Sequence, residues 1–277
     1  MKQQLKTFNY FLAELVKRFD PMQVICFGHH HTSHHLESFF TDKYTVGHSD
    51  YFLLLIMKAP TSLNHVLQEF ADRNYDFGTI TMLVHSPQAV ADSISLNNRF
   101  FTTVLSNGSS LYRKQEFALK TKMELLQPNT SLEKETFYFN HHMQLANGFM
   151  GGASKCMANT QYTVCVFNLH QVVEQCCMAL LYVFLDYRCS IHNIKRMLTL
   201  CCCFSSKPLS IFISGSTHDA RLFDILIKSY SKSRYRTDFR INEEDAKGLY
   251  TKVTCLLGVT NQMGADRIAS SISCQGI

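Results

Sequence analysis

The sequence predicts an α+β fold in two domains: an α/β sandwich over residues 1–127, an all-α helical bundle over 128–262, and a C-terminal tail at 263–277. Three observations predict it. Through residue 112, short apolar runs of strand type alternate with amphipathic helical patterns. Gln127-Pro128-Asn129-Thr130 interrupts that alternation, and the apolar spacing beyond it is helical. Within the second half, Val166, Leu169, Val173, Cys177, Leu180 and Phe184 form one long apolar stripe. A chain of 277 residues that is 46% apolar has the material for two cores.

Leu5, Phe8, Leu12, Leu15 and Phe19 recur at three and four, which predicts a helix over 3–19 that Asp20-Pro21 stops. A strand follows over Met22–Phe27 and runs into a turn at Gly28. The apolar run Tyr51–Met57 is a second, buried strand. Ala59-Pro60-Thr61-Ser62 turns into a helix marked by Leu63, Val66, Leu67 and Phe70. Thr79–His85 is a third strand, and Ser86-Pro87 opens the next helix with a capping serine and a first-turn proline. Asn107-Gly108 is a tight turn before a small edge strand at Ser110–Tyr112. In the second half the stripe at 166–184 is the clearest helix, followed by a shorter one over Arg196–Cys203 and another carried by Leu222, Ile225, Leu226, Ser229 and Tyr230. Asn242 caps the last helix, with Glu243, Glu244 and Asp245 at its positive end and Leu249, Val253 and Leu256 on its buried face. The result is a bundle of four to five helices.

Composition narrows the setting. The eleven cysteines lack paired metal-ribbon spacing, and Cys201-Cys202-Cys203 suits no disulfide framework, so the reading is a reduced, cytoplasmic protein. The charged residues at the start lie on a helical pattern rather than a secretory one, and no membrane association is expected. A formal net charge of +5 permits an anionic partner without demanding one.

Chemistry-bearing residues gather at two places. In the first half, Gly28-His29 follows the first strand, and Gly47-His48-Ser49-Asp50 leads into the second. Strand, glycine turn, then Ser-Asp at the mouth of a buried strand resembles the minimal nucleotidyltransferase pattern. That resemblance implies a glycine-serine turn for the triphosphate and an Asp-x-Asp pair for Mg²⁺. Here His29 stands where the serine would follow the glycine, and Phe52 stands where the second aspartate would be. The third strand carries no acid, and His85 ends it. One carboxylate rarely holds catalytic Mg²⁺, so Gly28, His29, Ser49 and Asp50 are read as a remnant nucleotide pocket of a degenerate enzyme. His29, His31 and His48, with His30, His34 and His35 around them, also suggest a metal-binding site, although adjacent loop histidines are more often solvated.

In the second half, Tyr162–Gln175, Ile191-His192-Asn193-Ile194 and Ser233-Arg234-Tyr235 occur in order. Together they resemble the HEPN domain, a nucleotide-binding helical bundle, over roughly residues 130–260. A minimal nucleotidyltransferase in front of a HEPN bundle is a known bacterial arrangement. Ribonuclease members of that family use an Arg-x(4–6)-His pattern. The matching segment here, Arg234 to Arg240, contains no histidine, and Arg188 and His192 have only three residues between them. The resemblance therefore implies a non-catalytic member, with Arg234, Tyr235 and Arg236 as an anion or nucleotide face. His170 and Glu174, four apart on one helix face, read as an interhelical polar contact that fixes register.

Three function classes follow. The first is a regulatory, non-catalytic protein binding a nucleotide or a macromolecular partner such as RNA. The second is a toxin–antitoxin enzyme that transfers nucleotides or cuts RNA. The third is a metal-binding protein using the histidine cluster. No cofactor beyond a nucleotide is expected. A homodimer through the bundle is expected, because Phe137, Phe139, Phe149, Phe184, Phe204, Phe212 and Phe223 exceed what short helices readily bury.

Overall fold

The computed structural model describes residues 2–38, 41–58, 64–119 and 128–275; within these, the side chains at 2–3, 33–38, 41–46, 128–131 and 274–275 are not described. The expected turn at 59–62 and Leu63 lie outside the described residues. The chain divides into two compact units, Met1–Leu126 and Gln127–Ile277.

The first unit contains α1 (Lys2–Phe19), β1 (Gln23–Ser38), β2 (Thr41–Ile56), α2 (Asn64–Asn74), β3 (Ile80–His85), α3 (Pro87–Ser95), α4 (Arg99–Asn107) and β4 (Ser109–Arg113). They build one four-stranded sheet in the order β3-β2-β1-β4. β2 pairs antiparallel with β1 and parallel with β3, the crossover being made through α2. As an inner strand, β2 is buried on both faces from Phe52 to Ile56, which is why its sequence is an unbroken apolar run. Tyr51, Leu53, Leu55 and Met57 pack with Phe8, Phe11 and Leu15 of α1 and Leu67 and Phe70 of α2. On the opposite face, Phe27 meets Phe52 at 6.1 Å and Phe100 of α4 at 5.3 Å between ring centroids.

Two expectations change here. The glycine turn at Gly28 does not exist: β1 runs on through Gly28 to Ser38, and Gly28 pairs with Phe52 next to a bulge between Cys26 and Gly28. A Cβ at Gly28 would lie 3.0 Å from Phe52 Cδ2, so within the strand this glycine makes room for a ring. The single helix expected after Ser86 is two. Ser86 does cap α3, accepting from Ala89 N at 3.1 Å, but Asn97 adopts a positive φ of 54°. Asn98 then caps α4 by accepting from Phe101 N at 3.2 Å. Asn107-Gly108 is accordingly the end of α4 and not an isolated turn.

The second unit is helical: α5 (Pro128–Ala158), α6 (Tyr162–Leu185), α7 (Ile194–Cys201), α8 (Lys207–Ser210), α9 (Thr217–Tyr235) and α10 (Glu243–Gln275). α6 is the central helix. Val166, Leu169, Val173, Cys177 and Leu180 are all fully buried, and α5, α9 and α10 pack around them. α6 is long and apolar enough to cross a bilayer by composition, yet most of it is buried within its own unit. Asn242 caps α10, its Oδ1 accepting from Asp245 N at 2.8 Å. Asp245 is buried and held by the guanidinium of Arg221, so it does more than complement the helix dipole. Asn242→Ala is expected to cost about 1 kcal/mol, read as a shift in the urea midpoint.

The expected tail at 263–277 is helix through Gln275. The reason is packing: Ile268 joins Leu257, Phe139, Met143, Ala179 and Val183 in a core shared by α5, α6 and α10. The surplus of phenylalanine is also largely covered within the unit. Phe139, Phe212 and Phe223 are buried, and Phe184 stacks on Phe204 at 4.4 Å, leaving Phe137 as the strongly exposed member of the seven.

Candidate functional site

In the first unit the residues of the remnant pocket come together at the N-terminal mouth of the buried part of β2, but strand alternation sorts them onto two faces. Register pairs His29 with Tyr51, His30 with Asp50 and His31 with Ser49. Opposed residues share a face, so His29, His31, Ser49 and Tyr51 look one way, and His30, His48 and Asp50 the other. The proposed metal trio of His29, His31 and His48 is therefore split across the sheet. Among the described residues no group of three or more His, Cys, Asp or Glu side chains is placed to hold a metal ion. The side chains of His34 and His35 lie outside the described residues.

Each pocket residue has a structural occupation. Ser49 is buried, its Oγ 2.9 Å from His31 Nδ1. His29 stacks on Tyr51 at 4.4 Å, and burial together with neighbouring His31 and His30 lowers its pKa. Asp50 Oδ1 accepts from Thr79 N at 2.8 Å and Thr79 Oγ1 at 2.6 Å, and His48 Nε2 lies 2.9 Å away. The carboxylate thus ties the start of β2 to the segment before β3. His85 is partly buried against Phe101 at 5.0 Å, and burial pushes its pKa down to about 4. Asp50→Ala is expected to cost about 1–2 kcal/mol in urea unfolding through the lost Thr79 hydrogen bonds.

In the second unit the sequence motifs converge on one place. Glu174 on α6 is buried, and its Oε1 lies 2.9 Å from Nδ1 of His192, in the turn after α6. One turn earlier on α6, His170 is buried beneath the ring of Tyr230 on α9, centroids 5.1 Å apart. The guanidinium of Arg234 lies over the Tyr230 ring at 4.2 Å, with Tyr235 at 5.1 Å and Phe167 at 5.9 Å. Arg234 Nε donates to Tyr230 O at 2.8 Å. Burial, reinforced by the Arg234 charge, pushes the pKa of His170 down to about 4, so the imidazole is neutral at neutral pH.

The three residues of the expected anion face differ in their freedom. Arg236 is engaged with Asp238 at 3.2 and 3.3 Å. Tyr235 is 75% exposed, and Arg234, also exposed, makes no ion pair with an acid among the described residues. Tyr230, Phe167 and the Glu174–His192 pair were not foreseen as parts of this place. Only the buried Glu174 carried a signal, since an acid on a buried helix face requires a partner.

Residues 139–262 match the family model of the HEPN domain. No curated protein matches the chain. Among solved structures, a nucleotidyltransferase-like protein from Exiguobacterium sibiricum 255-15 is 9% identical, with 96% of this chain and 78% of that chain covered and a TM-score of 0.31, too loose to carry a fold or an activity across. The helical unit of this chain contains a HEPN domain.

Proposed function

We propose that the HEPN unit binds the phosphate of a nucleotide, free or within an RNA strand, at Arg234 and Tyr235, and performs no chemistry on it. The observation that carries this reading is the exposed guanidinium of Arg234, stacked on Tyr230 beside the open ring of Tyr235 and unpaired with any acid among the described residues. A stacked guanidinium is pre-organised to donate to phosphate oxygens, and an exposed tyrosine ring offers a base a face to stack on. Lys232 over Phe239 and the exposed Arg240 add positive charge nearby.

The lack of chemistry rests on both units. Phe52 packs where a second metal-binding carboxylate would be needed, and Asp50 is tied to Thr79. In the helical unit, His170 is buried and His192 is paired with Glu174, so neither stands free to shuttle a proton at Arg234. The role that remains is regulatory, through occupancy of the site.

Calorimetric titration with uridine monophosphate and with a short oligouridylate tests this. Binding weakened at least about tenfold by Arg234→Ala is expected, the scale of a lost charge-assisted hydrogen bond. Binding of the oligomer alone assigns the site to RNA, and binding of the monophosphate assigns it to free nucleotide. Equal affinity in Arg234→Ala, or cleaved oligomer after incubation, contradicts the reading.

A further inference from the structure

Beneath the Arg234 face lies a buried pair with one bond missing. The Glu174 side chain is 6% exposed; His192 holds Oε1, while Oε2 has no hydrogen-bond partner. That oxygen points at His170 Nδ1 from 3.9 Å. Gln171 Nε2 lies 3.3 Å from the same Nδ1, and an amide nitrogen only donates. With the amide so oriented, Nδ1 accepts, the neutral ring carries its proton on Nε2, and two lone-pair atoms face each other across the gap. A buried acceptor left in that state is costly, and a proton on Nδ1 would convert the contact into a charge-assisted hydrogen bond.

We propose that binding of an anion at Arg234 is linked to uptake of one proton by His170 at Nδ1, which completes its hydrogen bond to Glu174. The inference rests on the phosphate reading of the Arg234 face. The proton comes from water, and the Gln171 contact gives way to Glu174. Among the described residues, the titratable and charged groups around His170 are Glu174 on its own helix, Tyr230 and Arg234 on α9, and His192 beyond Glu174. Of these, Arg234 is the cation that opposes a charge on His170, through the intervening Tyr230 ring. A bound phosphate neutralises that cation and leaves burial as the opposing cause. The pKa of His170 then rises from about 4, while burial, the larger cause, still holds it below its ordinary 6.5. In the window just above 4 the bound form holds more protons than the free form, so affinity rises as pH falls towards 4.

Oligouridylate is a suitable probe, because its phosphodiesters and uracil rings do not titrate in this range. Calorimetry on the full chain, midway through the window and in buffers of different ionisation heat, is expected to give net proton uptake on binding. The affinity should steepen with falling pH, with tenfold per unit as the limit for one proton. His170→Gln should lose the slope, whereas His192→Asn should keep it. Should His170→Gln fail to fold, the imidazole resonances of His170 in the unaltered protein decide: their midpoint is expected higher with oligouridylate bound. Binding with no proton uptake and an unmoved His170 midpoint overturns the linkage and leaves the phosphate reading standing. No binding at any pH removes both.

Discussion

Gly78→Ala is expected to destabilise the α/β unit by about 3 kcal/mol or more, enough to unfold a marginal domain. Gly78 lies at φ 154°, and a Cβ built there would fall 2.0 Å from the carbonyl oxygen of Ser49 and 2.6 Å from its carbonyl carbon. Both are backbone atoms, so no side-chain rotation relieves the overlap. Neither strand can shift cheaply. Ser49 N donates to Phe77 O at 2.7 Å, Tyr51 N donates to Thr79 O at 2.9 Å, and Asp50 clasps Thr79. The added methyl must break this seam or push β2 out of a core in which Leu53, Leu54 and Leu55 are fully buried. Urea unfolding followed by circular dichroism checks it. A loss below about 1 kcal/mol would mean that the segment before β3 is far more yielding than its hydrogen bonds imply.

Phe212→Ala is expected to cost about 3–5 kcal/mol in the helical unit, as for other fully buried aromatic residues. Phe212 follows the short α8, has no exposed surface, and stacks on Phe223 of α9 at 5.3 Å. It anchors the connection between α8 and α9, so its removal opens a cavity that the connecting backbone cannot fill. Phe137→Ala, at a ring 66% exposed, should change stability by about 0.5 kcal/mol or less. Measuring both at two protein concentrations separates packing within the chain from packing between chains. A Phe212→Ala loss that depends on concentration would return that side chain to an intermolecular role.

The helices were legible in the sequence where burial is one-sided or complete. The stripe from Val166 to Leu180 names α6 because each member is buried in its own unit. Ser86, Asn242 and Asp20-Pro21 are local signals, and each acts on a neighbour three or four residues away. The long hairpin was not legible. His29 to Ser38 is polar, and polar residues on an extended strand read as loop until the partner strand supplies the hydrogen bonds. Missing that pairing also turned Gly28 into a phosphate turn and gathered His29, His31 and His48 into one site, because only the register assigns alternate residues to opposite faces. In the helical unit, His170 and Glu174 were legible as a pair on one face. Their neighbours His192, Tyr230 and Arg234 arrive through tertiary packing, which no one-dimensional spacing encodes.

The most direct test of phosphate binding at Arg234 is to find where a nucleotide settles on the full chain, by following assigned amide and aromatic resonances during titration with oligouridylate. Perturbations are expected to centre on Tyr235, Arg234, Tyr230 and Phe167, with His170 following, while the resonances of Ser49 and Asp50 stay quiet. Perturbations centred on Ser49 and Asp50, with the Arg234 region unmoved, would place the site in the first unit and contradict it.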